Sequence, residues 1–115
     1  MGKSESEPFD NWTVQARKGL LELWVLRSLS HGECYAYDLV KALTEKGGLG
    51  VSEGTLYPLL SRLRVLGWVE TRLVESAEGP ARKYYRLSKE GTRQLNRMNQ
   101  YWRQLLSTLE ITDND

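Results

Sequence analysis

The sequence predicts a mostly α-helical protein with one small β-hairpin. Three segments before Gly67 carry apolar residues at helical spacing. After Gly67 the apolar spacing is close to two, and after Ser88 it alternates between three and four. This order of three helices, a hairpin and a last helix is typical of a winged helix-turn-helix followed by one C-terminal helix.

Composition excludes several other classes of protein. The chain has 115 residues, 40% hydrophobic and 27% charged, as expected for one soluble domain. One cysteine, Cys34, and one histidine, His31, cannot build a disulfide framework or a structural zinc site. The first ten residues lack the apolar core of a signal peptide, and Leu20 to Leu26 is too short to span a bilayer. We therefore expect a cytoplasmic protein with no cofactor, no metal and no membrane segment.

The first two helices follow a polar N-terminal segment. Residues 1–10 contain a single large apolar side chain, Phe9, and are predicted to be a disordered acidic tail. Crowded apolar residues from Trp12 to Leu29 predict a helix that is buried over most of its circumference. A stripe at residues 36, 39, 40 and 43 predicts an amphipathic second helix, which Gly47 to Gly50 would close.

The third helix is predicted over residues 52–66. Ser52 offers an N-cap, and leucines at positions 56, 59, 60, 63 and 66 form a buried stripe. Pro58 leaves two alternatives, because proline removes a helix hydrogen bond and restricts the residue before it. Either the helix begins at Thr55, or it is kinked around residues 54–58.

A hairpin and a last helix complete the predicted fold. Strands are expected around Trp68–Val74 and Lys83–Leu87, with a turn at Ser76–Pro80. Tyr84 and Tyr85 would point to opposite faces, so at most one should be core. Ser88 would cap the last helix.

The apolar stripe of the last helix predicts a dimer. Its alternating spacing is that of a helix packed on another helix, and a helix of about 22 residues, about 33 Å long, would overhang so small a domain. The predicted dimer interface consists of Leu95, Met98, Trp102, Leu105 and Leu109. The domains are thus a winged helix-turn-helix over 11–87, a C-terminal dimerisation helix over 88–110 and an acidic tail over 111–115.

The third helix and the hairpin carry side chains that suit DNA. Without its leucines, the helix presents Thr55, Tyr57, Ser61, Arg62 and Arg64. Hydroxyl groups bond phosphates or bases, and arginine can hold a guanine edge with two hydrogen bonds. Arg82 and Lys83 add positive charge beside the predicted turn. A solvated helix face and a purely structural wing remain open as alternatives, because acidic residues lie on the same hairpin.

The net charge of +1 hides an uneven distribution. Six of the 15 acidic residues but only one of the 16 basic residues lie in segments 1–10 and 110–115, which leaves about +6 for residues 11–109. The basic folded region favours binding to DNA, and the acidic tails should limit indiscriminate binding to other nucleic acids.

No catalytic constellation is evident in the sequence. His31 has no nucleophile or carboxylate at useful spacing, and Gly47 to Gly50 does not follow a strand as a dinucleotide-binding loop must. We therefore predict a non-enzymatic DNA-binding protein. The alternatives are a winged-helix module for protein–protein interaction and an aromatic-ligand sensor that uses Trp102 and Trp24.

Four blocks of sequence resemble the PadR family of bacterial transcriptional regulators. In the family's order they are Arg17–Leu23; Tyr35–Leu39; Glu53–Leu60 with Arg62-Leu63 and Gly67-Trp68; and Arg82–Ser88 with Gly91. The resemblance runs from about Arg17 to Trp102, and the single last helix is similar to the compact subgroup of the family. Two departures are Ala36, where glycine is usual, and Pro80-Ala81, which would stiffen the tip of the wing.

The resemblance implies a homodimeric repressor on a pseudo-palindromic operator of double-stranded DNA. It implies recognition-helix contacts at Thr55, Tyr57 and Arg62, phosphate contacts at Arg17 and Tyr37, and wing contacts at Arg82 and Lys83; Ser52 and Ser61 complete the predicted DNA-binding set. In some compact relatives aromatic compounds lie between tryptophans of the last helix. A planar aromatic effector is therefore expected to release the repressor, with Trp102, Trp24 and Met98 as its binding residues.

Overall fold

The computed structural model confirms the predicted fold class. It describes residues 6–45 and 51–114, and it describes the surroundings of side chains up to residue 111. Within these ranges four helices and three strands follow one another. They are α1 (Ser6–Leu29), β1 (Cys34–Tyr35), α2 (Ala36–Glu45), α3 (Glu53–Val65), β2 (Val69–Ser76), β3 (Gly79–Leu87) and α4 (Lys89–Asn114). None of the helices in the described segments combines the length and apolar composition needed to cross a membrane.

Apolar side chains of the first three helices form the core. Leu26 of α1 and Leu56, Leu60 and Leu63 of α3 are fully buried. The predicted stripe of α2 is buried at all four positions, which confirms its orientation. No polar or charged residue of the described segments is buried, so packing of aliphatic groups holds α3 in place.

α3 begins at Glu53 and passes through Pro58. The start at Thr55 is therefore two residues too late. Ser52 has the extended backbone of an N-cap residue, but its side chain makes no capping hydrogen bond. Its carbonyl instead accepts the N–H groups of Thr55 and Leu56, each at 3.1 Å, and its hydroxyl lies 3.2 Å from that of Thr55.

The wing is a three-stranded antiparallel sheet in the order β1-β3-β2. The sequence predicted the two long strands but not β1, in which Cys34 and Tyr35 pair with Tyr85 and Tyr84. The strands also extend further towards the tip than predicted. Ser76 pairs with Gly79 across a two-residue turn, so Pro80 lies in β3 rather than in the turn. Tyr85 is buried and Tyr84 is only half-buried, as the alternation required.

Both predicted acidic tails are wrong in part, because the flanking helices are longer than expected. α1 already begins at Ser6, and α4 continues to Asn114. Stacking of Phe9 on Trp12, with ring centroids 6.2 Å apart, supports the first turns of α1. Residues 1–5 and the predicted helix-closing glycines Gly47 to Gly50 lie outside the described residues.

Ser88 joins the sheet to α4, as predicted for a helix cap. Its hydroxyl accepts the N–H of Gly91 at 2.9 Å and donates to the carbonyl of Gly67 at 2.5 Å. Its backbone N–H donates to the carbonyl of Trp68 at 3.0 Å. One residue thus fixes the start of α4 against the turn that follows α3.

Replacing Ser88 with alanine should destabilise the protein by about 1 kcal/mol, because the α4 N-terminus and the Gly67 carbonyl each lose a hydrogen-bond partner. For a domain of this size we expect a fall in melting temperature of about 4–8 °C in thermal unfolding followed by circular dichroism. Ser88→Thr keeps the hydroxyl and serves as the control. Equal losses for alanine and threonine would show that the cap does not stabilise the fold.

Candidate nucleic-acid interface

The solvent side of α3 carries the predicted recognition residues. Ser52, Thr55, Tyr57, Ser61 and Arg62 are all exposed, while Leu56, Leu60 and Leu63 on the opposite side are buried. Leu59 is half-buried, and Leu66 is exposed at the C-cap of the helix, so the predicted buried stripe is wrong at Leu66. Seven residues make about two helical turns, so Thr55 and Arg62 share one flank. Tyr57 and Ser61 are four residues apart and share the other flank. The predicted contacts therefore form two rows along one helix.

Arg62 forms an ion pair with a carboxylate, and the sequence analysis did not predict this pair. Its Nη2 atom pairs with Oε1 of Glu22 in α1, and the two side chains are 58% and 23% exposed. A guanidinium has five N–H donors, so pairing through Nη2 leaves other edges available to a base. This contact joins α3 to α1. No local pattern signals it, because the two residues are 40 positions apart in the chain.

Arg82 and Lys83 lie on opposite faces of the wing. Arg82 pairs in register with Val74, and its guanidinium carbon is 5.0 Å from the Tyr35 ring centroid. Lys83 faces the other way, and its Nζ atom is 5.7 Å from the Tyr85 ring centroid. From the sequence, both side chains were predicted to form one basic tip of the hairpin. Neighbouring side chains of a strand point to opposite faces, so they do not share one surface.

Two other arginines on the Arg82 face are paired with carboxylates. Arg72 donates two hydrogen bonds to Glu33, at 2.6 and 2.7 Å, and these bonds lower the pKa of the Glu33 carboxyl group. Arg86 pairs with Glu70 at 2.8 Å. Exposed pairs of this kind contribute little to stability, but they reduce the local positive charge.

The two phosphate contacts implied by the resemblance have different surroundings. Arg17 is half-buried on α1, where its Nε and Nη2 atoms donate to the carbonyl and hydroxyl oxygens of Thr13, both at 3.1 Å. Tyr37 is exposed in the first turn of α2. Its ring centroid lies 6.1 Å from that of Tyr35, whose ring also contacts Arg82. The structure thus links Tyr37 to the wing, whereas the contacts described for Arg17 stay within α1.

A groove of about 1010 Å³ runs between α1 and α4. Met98 and Trp102, two of the three predicted effector residues, line it. Trp24 is not part of this lining and packs, half-buried, against the core. A contribution of Trp24 to effector binding therefore stays a prediction.

The residues predicted to form the dimer interface differ in their exposure. Leu95 is 5% exposed and belongs to the core of its own protomer, so its assignment to the dimer interface is wrong. Met98 and Trp102 are half-buried, whereas Leu105 and Leu109 are exposed. Further exposed apolar side chains lie on the ends of α1 and α4. They are Phe9, Trp12, Val14, Tyr101, Leu106 and Ile111.

The helical core, the recognition-type helix and the β-wing define a winged helix-turn-helix protein. Residues 25–97 match the family model described as the transcriptional regulator PadR-like family, and the chain belongs to this family. The predicted family is therefore confirmed. PadR-like regulators bind DNA, typically dimerise and are not enzymes.

Solved structures of PadR-like proteins have the same fold. A PadR-like transcriptional regulator from Bacillus cereus is 38% identical, with a TM-score of 0.73 over 84% of this chain and 93% of that chain. A PadR-like transcription factor from Bacteroides fragilis is 40% identical, with a TM-score of 0.73 over 87% and 96%. A PadR family transcriptional regulator from Eggerthella lenta is 31% identical, with a TM-score of 0.79 over 90% of each chain.

Proposed function

We propose that this protein is a sequence-specific DNA-binding transcriptional regulator, and that it acts as a homodimeric repressor. The observation that carries the proposal is the division of α3 into two sides. One side is anchored by fully buried leucines, and the other exposes hydroxyl groups and arginines. A rigidly anchored helix with a polar outer face suits insertion into a major groove.

The two rows on α3 support contacts with both walls of the groove. A major groove is about 12 Å wide, close to the diameter of a helix with its side chains. Thr55 and Arg62 would then lie towards one wall, with the Arg62 guanidinium on a base edge, and Tyr57 and Ser61 would lie towards the other wall. The wing would contact the adjacent backbone through Arg82 or Lys83.

The dimer is proposed to form through the α1–α4 groove. Exposed apolar side chains lie at the N-terminal end of α1 and along the C-terminal half of α4. Leu105 and Leu109 belong to the groove itself. A contiguous apolar surface of this kind is typical of an interaction site, and a second copy with the same groove would cover it symmetrically. The two α3 helices would then enter successive major grooves, about 34–36 Å apart.

Replacing Leu109 with glutamate should weaken the dimer, because it places a charge in an apolar interface. The side chain is 63% exposed, so the fold of the protomer should be unaffected. Sedimentation velocity at micromolar concentration is expected to show a shift from dimer to monomer. The control is Leu73→Glu, at a wing leucine that is 70% exposed. A dimer that persists in Leu109→Glu, or one that dissociates equally in both variants, would contradict this interface.

Release by a small aromatic effector is proposed for the same groove. Met98 and Trp102 line it and are half-buried, so a planar ring could contact both without displacing the core. An effector bound there would lie next to α1, which the pair of Glu22 and Arg62 joins to α3. This position supports coupling between the groove and the recognition helix.

Titration of duplex DNA by fluorescence anisotropy tests the proposed function. One duplex covers the region upstream of the protein's own gene, and the other is random DNA of equal length. We expect tighter binding to the upstream duplex, a steep loss of affinity between 50 and 200 mM salt, and weaker binding when planar aromatic compounds are added. Equal affinity for both duplexes, or affinity independent of salt, would argue against a sequence-specific regulator.

A further inference from the structure

Tyr35 lies at the centre of an aromatic and cationic cluster on the outer face of the sheet. Its ring centroid is 5.6 Å from that of Tyr84 and 6.1 Å from that of Tyr37. The guanidinium carbon of Arg82 is 5.0 Å from the same ring centroid. One half-buried ring therefore contacts the first turn of α2 and two residues of β3.

Strand pairing fixes the position of this ring. Tyr35 of β1 pairs in register with Tyr84 of β3, so their side chains point to the same face. Arg82 comes two residues before Tyr84 and projects from that face as well. The stacking of Arg82 on Tyr35 thus follows from the backbone register.

Arg82 is the arginine on this face whose charge is least compensated. Arg72 pairs with Glu33, and Arg86 pairs with Glu70. Among the residues that the structure describes, no carboxylate forms an ion pair with Arg82. An uncompensated cation on an exposed wing attracts phosphate groups more strongly than a paired one does.

We infer that Tyr35 is a positioning residue, whose ring holds the Arg82 guanidinium in place to bind a phosphodiester of the DNA backbone. The inference rests on the proposed function. Stacking over a ring leaves the N–H groups at the guanidinium edge free to donate to phosphate oxygens. The stacking also restricts the Arg82 side chain before DNA binds, which lowers the conformational entropy lost on binding.

The test compares variants of the full chain on the upstream duplex and on random DNA. Tyr35→Leu removes the ring, Tyr35→Phe keeps it, Arg82→Gln removes the charge, and Arg86→Gln removes a charge that is already paired. We expect Tyr35→Leu to weaken binding about two- to five-fold on both duplexes and Tyr35→Phe to bind like the wild type. Arg82→Gln should lower the slope of log K against log salt by about 0.9, and Arg86→Gln by less.

A double variant separates positioning from a general structural effect. If the ring acts through Arg82, Tyr35→Leu combined with Arg82→Gln should bind no more weakly than Arg82→Gln alone. Tyr35→Ile, which suits a strand better, is the second variant if circular dichroism shows that Tyr35→Leu is unfolded.

Two results would overturn the inference while leaving the proposed function intact. In the first, both aliphatic variants at Tyr35 bind DNA like the wild type. In the second, the losses caused by Tyr35→Leu and Arg82→Gln add up in the double variant. If the wild type binds neither duplex, the proposed function itself fails.

Discussion

Gly91→Ala should destabilise the protein by about 1–3 kcal/mol or more, although alanine normally favours a helix over glycine by about 1 kcal/mol. A Cβ atom at Gly91 would lie 1.9 Å from the carbonyl oxygen of Trp68 and 2.8 Å from its carbonyl carbon. These are backbone atoms, and the Trp68 carbonyl also accepts the N–H of Ser88. The start of α4 would have to move away from the turn after α3, which would break the hydrogen bonds made by Ser88.

Chemical denaturation with a matched glycine in another helix tests this expectation. At Gly54, in the first turn of α3, a Cβ atom would meet only the Ser52 hydroxyl, at 3.8 Å. Gly54→Ala should therefore be neutral or stabilise the fold by up to about 1 kcal/mol. The two substitutions are thus expected to change the free energy of unfolding in opposite directions, which separates the clash at Gly91 from the general effect of alanine in a helix. A Gly91→Ala protein as stable as the wild type would mean that α4 is not packed tightly on the Trp68 carbonyl.

Elements with a local signal were predictable from the sequence. The stripe of α2 and the leucines at positions 56, 60 and 63 of α3 repeat at helical spacing, and burial against one core follows from that repeat. The strand alternation at Tyr84 and Tyr85 correctly indicated that one ring is core and the other is not. In each case the residues that decide the structure are close together in the chain.

Features that depend on distant pairing were missed. β1 has only two residues, and its strand conformation comes from pairing with Tyr84 and Tyr85, about 50 positions later. The contact between Glu22 and Arg62 likewise joins two helices whose relative position no local pattern gives. The error at Leu95 has a related cause, because a 3-4 stripe does not say whether its partner is the same chain or a second copy.

Arg62→Ala should reduce operator selectivity by about 1–3 kcal/mol, which is roughly 5- to 150-fold in affinity for the upstream duplex. The expectation follows from the proposed contact of Arg62 with a base edge, whereas a wing cation would contact only phosphate. Arg82→Gln, at the wing cation proposed to bind phosphate, should therefore weaken binding to upstream and random duplexes by the same factor and lower the salt slope by about 0.9. Equal losses on both duplexes for Arg62→Ala would contradict base recognition by this residue.

The pair with Glu22 adds a second contribution that must be separated from base recognition. Removing Arg62 leaves the Glu22 carboxylate without this partner beside α3, where, on the proposed function, it would repel phosphates of any sequence. Glu22→Gln in the Arg62→Ala background removes that repulsion without restoring a guanidinium. We expect the double variant to recover affinity for both duplexes equally while the lost selectivity stays lost, as measured by anisotropy on the same two DNAs. Recovery of selectivity in the double variant would show that the charge of Glu22, and not base contact by Arg62, sets the preference for the operator.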